Sequence, residues 1–188
     1  MKKIRIGTNV FLPMPVTLIG TEIGGRPNYL TAGWIARVNA DPPMIAVSIN
    51  RANATPEGIR ENKTFSINLP SAAMIRATDY CGLVSARDTD KSDVFDHFRG
   101  VLTGAPMIQE CPLTMECRLV ETVELPSHLL FIGEIVGGFA NKRVISGGKP
   151  DTKAINPLLL TMPDNSYWTL GEYAGKAWAE GKRLVKKK

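Results

Sequence analysis

Short runs of alternating apolar and polar residues recur along this chain and predict a protein made mainly of β-strands. In the clearest run, residues 44–50, isoleucine and valine alternate with small or polar residues, which is the pattern of a half-buried strand. Gly and Pro separate the runs, and this punctuation favours a barrel or a sandwich. After a lead-in at 4–12, strands are predicted at 16–22, 29–39, 44–50, 64–69, 114–124, 129–140, 158–162 and 167–171.

One helix is predicted directly after the strand at 44–50. Thr55 is a favoured N-cap residue, Pro56 suits the first helical position and Glu57 lies in the first turn, so the helix should cover 55–61. A helix start offers unpaired amide donors to a phosphate, and Arg51 at the end of the strand could reach the same point. An ordinary capped surface helix is the alternative. Further helices are predicted at 71–79, stopping at Gly82, and at 92–98.

A stretch of small residues lies just before this region. Thr31, Ala32 and Gly33 are followed by Trp34, so a flat ring could approach the backbone there without meeting bulky side chains. Together with the polar strand end, the arginine and the helix start, this stretch suits an aromatic ligand that carries a phosphate.

Composition predicts one cytoplasmic domain. The chain has 188 residues, of which 44% are hydrophobic and 22% charged, which is close to the average for globular proteins. No apolar run is long enough to cross a bilayer, and the Met1-Lys2-Lys3 start is not followed by a continuous apolar stretch of the kind a signal peptide needs. We predict a single domain over 1–175 and a basic, flexible tail over 176–188.

The net charge of +5 comes from this tail. Residues 176–188 hold six basic side chains and one acidic one, whereas residues 1–175 hold 17 of each sign. A nucleic-acid-binding protein is expected to spread basic groups over a face of its fold. The neutral body therefore disfavours nucleic-acid binding, and the tail is more simply a solubilising end.

Cysteine and histidine give no support for a metal site or a disulfide framework. Cys81, Cys111 and Cys117 form no Cys-x-x-Cys pair, and only two histidines are present. Buried packing is the expected role of Cys81, and a redox-active thiol is the alternative. Gly-x-Gly-x-x-Gly, Walker A and Gly-x-Ser-x-Gly motifs are all missing, which disfavours a Rossmann dinucleotide site, an NTPase and a hydrolase.

The order and spacing of many short motifs resemble the flavin reductase-like family of FMN-binding split barrels, and within it the flavoredoxin branch. The resemblance spans roughly residues 9 to 178. The motifs that carry it are Asn28–Ser71, Asp79–Gly82, Ser85, Asp90–Ser92, Ala105–Ile108, Glu110–Pro112, Glu116-Cys117, His128–Glu134, Tyr167-Trp168, Gly171-Glu172 and Gly175–Ala177.

This resemblance implies an antiparallel Greek-key barrel that forms a homodimer and holds FMN near the subunit interface. On their own, Trp34 could be a core aromatic, Lys91 a solvated charge and His128 a surface histidine. The residues that the resemblance and the strand pattern place at the flavin are Thr31, Ala32, Trp34, Ser48, Ile49, Asn50, Arg51, Thr55, Asn68, Cys81, Gly82, Ser85, Lys91 and His128.

Two functions follow from the resemblance. The first is an oxidoreductase in which NADH, NADPH or a reduced protein donor supplies electrons that FMN passes to an acceptor. The second is an FMN-binding electron-transfer protein with negligible NAD(P)H turnover. A barrel that binds single-stranded nucleic acid is a third and weaker possibility, because aromatic and basic residues do not alternate around Trp34.

Overall fold

In the computed structural model, which describes residues 1–184, most of the regular structure is antiparallel β-sheet. The strands are β1 (Met14–Pro15), β2 (Thr17–Ile23), β3 (Arg26–Ala32), β4 (Ile35–Asn39), β5 (Met44–Asn50), β6 (Thr64–Leu69), β7 (His97–Phe98), β8 (Met107–Ile108), β9 (Leu113–Glu124), β10 (His128–Ala140), β11 (Ile145–Ser146), β12 (Lys149–Pro150), β13 (Leu159–Thr161) and β14 (Ser166–Trp168). The α-helices are α1 (Thr55–Asn62), α2 (Ile75–Leu83) and α3 (Thr152–Ile155), and short 3₁₀ helices cover Ala72–Met74, Lys142–Val144 and Glu180–Leu184.

The main sheet has seven strands in the order β3-β2-β6-β9-β10-β5-β4. Its two edge strands, β3 and β4, are consecutive in the chain, and β3 also lies against β5. The sheet therefore curls toward closure, while β1, β13 and β14 form a separate small sheet. The prediction of a mainly β, antiparallel barrel with short helices is confirmed.

The interior of the curled sheet is filled by apolar side chains from most of its strands. Ile19, Val47, Phe65, Ile67 and Phe131 are all buried in one cluster. β10 passes close to Phe65 at Gly133, where an added Cβ atom would lie 2.6 Å from the phenyl ring. Only glycine fits there without displacing the core, so the path of β10 depends on this position.

Two sequence predictions of secondary structure are wrong. The strand predicted at 29–39 is divided into β3 and β4, because the chain turns at Gly33, whose carbonyl accepts a hydrogen bond from the Ile35 amide at 3.1 Å. The helix predicted at 92–98 is absent. The Asp90 carboxylate accepts from the Ser92 amide, Phe95 packs edge-to-face on Tyr29 with centroids 5.5 Å apart, and residues 97–98 pair with β8. Tertiary contacts thus override the local pattern.

The predicted capping role of Thr55 is also wrong, although the helix itself forms. The N-cap of α1 is Ala54, no side chain caps it, and Thr55 is the first helical residue. The Thr55 hydroxyl instead accepts a hydrogen bond from the Asn28 side chain at 3.0 Å. The threonine ties α1 to β3.

The ends of the chain add little regular structure. Residues 1–13 contain no strand or helix, and part of the predicted tail, residues 185–188, lies outside the described residues. Among residues 1–184, no helix is long and apolar enough to span a membrane.

Lys91 joins β3 to the end of α2. It is only 3% exposed, and its ammonium group donates to the carbonyls of Tyr29 at 2.6 Å, Val84 at 3.2 Å and Cys81 at 3.5 Å. A lysine ammonium has three donors, so this geometry occupies all of them. Burial lowers the pKa of Lys91, while the nearby Cys81 raises it.

We expect Lys91→Met to lower the free energy of unfolding by about 3 kcal/mol, because it leaves buried carbonyl groups without a donor. Urea denaturation followed by far-UV circular dichroism measures this loss. Lys153→Met, at an exposed site on α3, is the matched control and should change stability little. Equal stability of the two variants would contradict a structural role for Lys91.

Candidate functional site

A groove of about 170 Å³, here called the Trp34 groove, opens between the ends of β3, β5 and β10. Its walls come from three separate parts of the chain, which the antiparallel pairing brings together. The lining residues are Leu30, Thr31, Ala32, Gly33, Trp34, Ser48, Ile49, Asn50, Asn53 and His128.

Trp34 and His128 form one end of this groove. The two rings stack with centroids 4.6 Å apart and an interplanar angle of 26°. Trp34 is 42% exposed, so it is not a core aromatic residue. Its carbonyl accepts a hydrogen bond from the Ser48 amide at 2.9 Å, which fixes the turn after β3 against β5.

The floor of the groove is supported by α2. The Thr31 hydroxyl donates to the Thr78 carbonyl, and a Cβ atom added at Gly82 would lie 3.3 Å from the Cβ of Thr31. A side chain at position 82 would therefore press on Thr31. Gly82 does not line the groove itself, but it packs against Thr31, which does.

A second groove of about 280 Å³, here called the Arg87 groove, lies beside the other end of β3. Asn28 and Lys91 line it together with residues 86–90. Arg26 pairs with Asp90 at 2.7 Å, and Arg87 pairs with Glu57 of α1 at 2.6 Å. β3 contributes to both grooves, since Asn28 lines the Arg87 groove and Leu30, two residues and about 7 Å further along the strand, lines the Trp34 groove.

The two grooves differ in charge. No lysine, arginine, aspartate or glutamate lines the Trp34 groove, whereas arginine, lysine and aspartate side chains line the Arg87 groove. An elongated ligand with an uncharged flat ring at one end and an anion at the other matches this division. The anion would compete with Asp90 and Glu57 for the arginines.

Arg51 points away from both grooves toward the connection between β9 and β10. Its Nε donates to the Leu125 carbonyl at 2.8 Å, and its guanidinium pairs with Glu124 at 3.2 Å. Glu124 also pairs with Arg60 of α1 at 2.7 Å. The hydrogen bond from Arg51 is the largest of the effects that lower the pKa of Glu124.

Several residues predicted at the site lie in the interior. Asn68 is fully buried, donates to the Leu18 carbonyl and the Ser66 hydroxyl, and accepts from the Ile108 amide. Cys81 is fully buried, and burial raises the pKa of its thiol to about 11. The expected packing role of Cys81 is thereby confirmed.

Only some of the residues predicted from the sequence to contact a flavin line the Trp34 groove, and some residues that line it were not predicted. Predicted residues that line the Trp34 groove are Thr31, Ala32, Trp34, Ser48, Ile49, Asn50 and His128. Thr55, Lys91 and Ser85, whose hydroxyl accepts from the Arg87 amide, lie near the Arg87 groove. Leu30 and Asn53 line the Trp34 groove but were not predicted, whereas Gly33 belongs to the small-residue stretch expected to admit a flat ring. The Asn53 amide donates to the Asn50 carbonyl at 3.1 Å. Asn53 could have been predicted as a lining residue from its position between the end of β5 and the start of α1.

Comparison with known proteins identifies the family of this chain. The model of the flavin reductase like domain matches residues 10–161. The crystal structure of a flavoredoxin from Methanosarcina acetivorans is 53% identical, with a TM-score of 0.97, covering 98% of this chain and 100% of that one. Flavoredoxin of Desulfovibrio vulgaris (Miyazaki F) is 33% identical, with a TM-score of 0.89, covering 97% and 100%.

A larger relative shares the same domain. The high molecular weight rubredoxin of Moorella thermoacetica is 31% identical over 144 residues, which are 73% of this chain and 58% of that protein. The matched family model covers most of the chain and includes every residue of the Trp34 groove. The chain therefore belongs to the flavin reductase-like domain family.

Proposed function

We propose that this protein is an FMN-binding oxidoreductase that passes electrons from NADH, NADPH or a reduced protein donor to an acceptor. One observation carries the proposal: residues from β3, β5 and β10 that the sequence assigned to a flavin surround a single groove. Family membership and the similarity to two flavoredoxins support it.

The residues of the Trp34 groove suit contact with part of a flavin ring. Ala32 and Gly33 leave one wall free of bulky side chains, and Ser48, Asn50 and Asn53 supply neutral polar groups. Neutral hydrogen-bonding groups suit the polar edge of an isoalloxazine ring, while the Trp34 indole gives an aromatic surface beside it.

The phosphate of FMN is assigned to the Arg87 groove. Arg26 and Arg87 line it, and Asn28 connects it through Thr55 to the first turn of α1. A guanidinium exchanges an aspartate or glutamate partner for a phosphate with little loss, since both are anionic acceptors of two parallel hydrogen bonds. Lys91 contributes positive charge there while its donors remain on main-chain carbonyls.

Bound FMN would supply hydride and single-electron transfer, which the side chains of this chain cannot perform. The chain binds and orients the ring through the Trp34 groove and offers a hydrogen-bonding imidazole at His128. Cys81 takes no redox role in this proposal, because its buried thiol remains protonated near neutral pH.

An electron-transfer protein without NAD(P)H turnover is the second candidate. The similarity to a high molecular weight rubredoxin, of which this chain spans 58%, favours a redox protein as donor or acceptor. Both candidates are assigned to the cytoplasm, and both use the same groove.

We expect the purified protein to bind FMN more tightly than FAD, because the two grooves offer one surface for a flat ring and one cationic site for a phosphate group. Fluorescence titration of the FMN-free protein with each flavin measures the two affinities.

Trp34→Ala should weaken FMN binding about tenfold through loss of aromatic contact. Trp178→Ala is the matched control, since Trp178 is 93% exposed and lines neither groove. Tighter FAD binding, or equal effects of the two variants, would contradict the assignment.

Steady-state oxidation of NADH and NADPH with excess FMN separates the two candidate functions. We expect turnover with at least one of the two donors, at a rate reduced in proportion to flavin occupancy in Trp34→Ala. A protein that binds FMN fully but oxidises neither donor would be the electron-transfer protein instead.

A homodimer is part of the proposal, because the Trp34 groove on one chain is open and would cover only part of a flavin. A volume near 150 Å³ holds a single benzene ring, and the Trp34 groove measures about 170 Å³. A three-ring flavin would extend beyond it, so a second chain is expected to cover the rest.

Exposed apolar residues are available for that contact. Between 40% and 81% of the surface is exposed at Val120, Phe139, Trp168, Leu170 and Tyr173. Two-fold pairing is the commonest way to cover such residues.

We expect light scattering on the FMN-loaded protein to give twice the chain mass of 20.5 kDa, because the flavin and the apolar surface both require a second chain. Dilution below the dimer dissociation constant should release FMN together with the monomer. A monomer that keeps full flavin occupancy would contradict this part of the proposal.

A further inference from the structure

Arg51, the residue that follows β5, holds the short connection between β9 and β10, residues 125–127, in place. The Arg51 amide donates to the Ser127 carbonyl at 3.1 Å, and the Arg51 Nε donates to the Leu125 carbonyl at 2.8 Å. The Leu125 amide in turn donates to the His128 carbonyl at 3.0 Å. One arginine therefore fixes both sides of the turn that presents His128 to the Trp34 groove.

The His128 ring is held on two sides. Trp34 stacks against one face, with centroids 4.6 Å apart. The ring Nδ1 lies 2.9 Å from the hydroxyl oxygen of the preceding residue, Ser127. In the part of the chain that the structure describes, the ring Nε2 has no hydrogen-bond partner.

The hydrogen bond at Nδ1 determines what Nε2 can do. A neutral imidazole has one N–H donor and one acceptor nitrogen. The Ser127 hydroxyl can either donate to Nδ1 or accept from it. When it donates, the ring proton is on Nε2, and this nitrogen is an N–H donor. The polar edge of an oxidised flavin carries mostly acceptors, so an N–H at Nε2 is the complementary arrangement.

We propose that Ser127 and Arg51 are positioning residues that hold His128 as its Nε2–H tautomer, with this N–H offered to the flavin in the Trp34 groove. The inference rests on the proposed flavin site, but the tautomer itself is a property of the protein without FMN. Arg51 acts through the turn and Ser127 acts through Nδ1.

The second histidine provides an internal reference. The Nη1 of Arg99 lies 3.1 Å from the Nε2 of His97, and a guanidinium can only donate. The proton of neutral His97 must therefore be on Nδ1, the opposite tautomer from the one inferred for His128. Because the chain has two histidines, both can be observed together and assigned with His128→Asn.

Long-range ¹H–¹⁵N NMR of histidine-labelled protein at pH 8 reads the tautomers of neutral imidazoles directly. We expect the Nε2–H form for His128 with and without FMN. Ser127→Ala should give a mixture of tautomers, and Ser127→Thr should restore the Nε2–H form.

Ser127→Ala should also weaken FMN binding about threefold and make the midpoint potential of bound FMN more negative, since a single neutral hydrogen bond from His128 to the flavin is weakened.

Arg51→Lys tests the turn, and Arg60→Lys is its matched control. Both remove an arginine from Glu124, but only Arg51 contacts the turn. We expect Arg51→Lys alone to move or broaden the His128 signals. Identical spectra for the two variants would overturn the role of Arg51.

The outcomes separate this inference from the proposed function. An Nδ1–H form of His128, or an unchanged tautomer in Ser127→Ala, would overturn the inference in a protein that still binds FMN. An Nε2–H form in a protein that binds no flavin would uphold the tautomer and remove the proposed function.

Discussion

The pairing of β5 with β10 is the constraint on which the rest of the site depends. His128 pairs with Asn50 and Leu130 with Ser48 in an antiparallel register. A slip by one residue would turn Ser48 and Asn50 to the opposite face of the sheet and separate them from the imidazole. Buried Ile49 and Val47 oppose such a slip, because it would expose them. Core packing and site geometry are therefore fixed by the same contacts.

Small residues determine how the groove is shaped. The turn at Gly33 brings Trp34 over the end of β5, where its carbonyl accepts from the Ser48 amide. Behind the groove, Gly82 allows α2 to approach Thr31 closely. The site is thus a shallow opening between rigid strands, supported from below by a helix. Such an opening would leave part of a large flat ring uncovered.

Much of the fold and part of the site could be predicted from the sequence. Alternation in residues 44–50 located β5, and the small residues before Trp34 located one wall of the groove. Local pattern failed where distant contacts decide the structure. The segment at 92–98 has a helical pattern, but Phe95 is drawn onto Tyr29, and Thr55 bonds to Asn28 instead of capping its helix.

Charged residues were the hardest to place. Arg51 follows a strand end, as a phosphate ligand would, but its guanidinium is directed to Glu124 and Leu125, which are more than 70 residues away in the chain. Lys91 lies among acidic residues in the sequence, yet it is buried against three carbonyls. Long flexible side chains reach partners that sequence spacing does not reveal, whereas strand residues take their neighbours from register.

The most direct test of the flavin assignment follows the fluorescence of Trp34. A protein with Trp168→Phe and Trp178→Phe retains Trp34 as its one tryptophan, since the chain has three. FMN titrated into this protein should quench the tryptophan emission in parallel with flavin binding, reaching completion at one FMN per chain. Saturable FMN binding that leaves the Trp34 emission unchanged would contradict a flavin in the Trp34 groove.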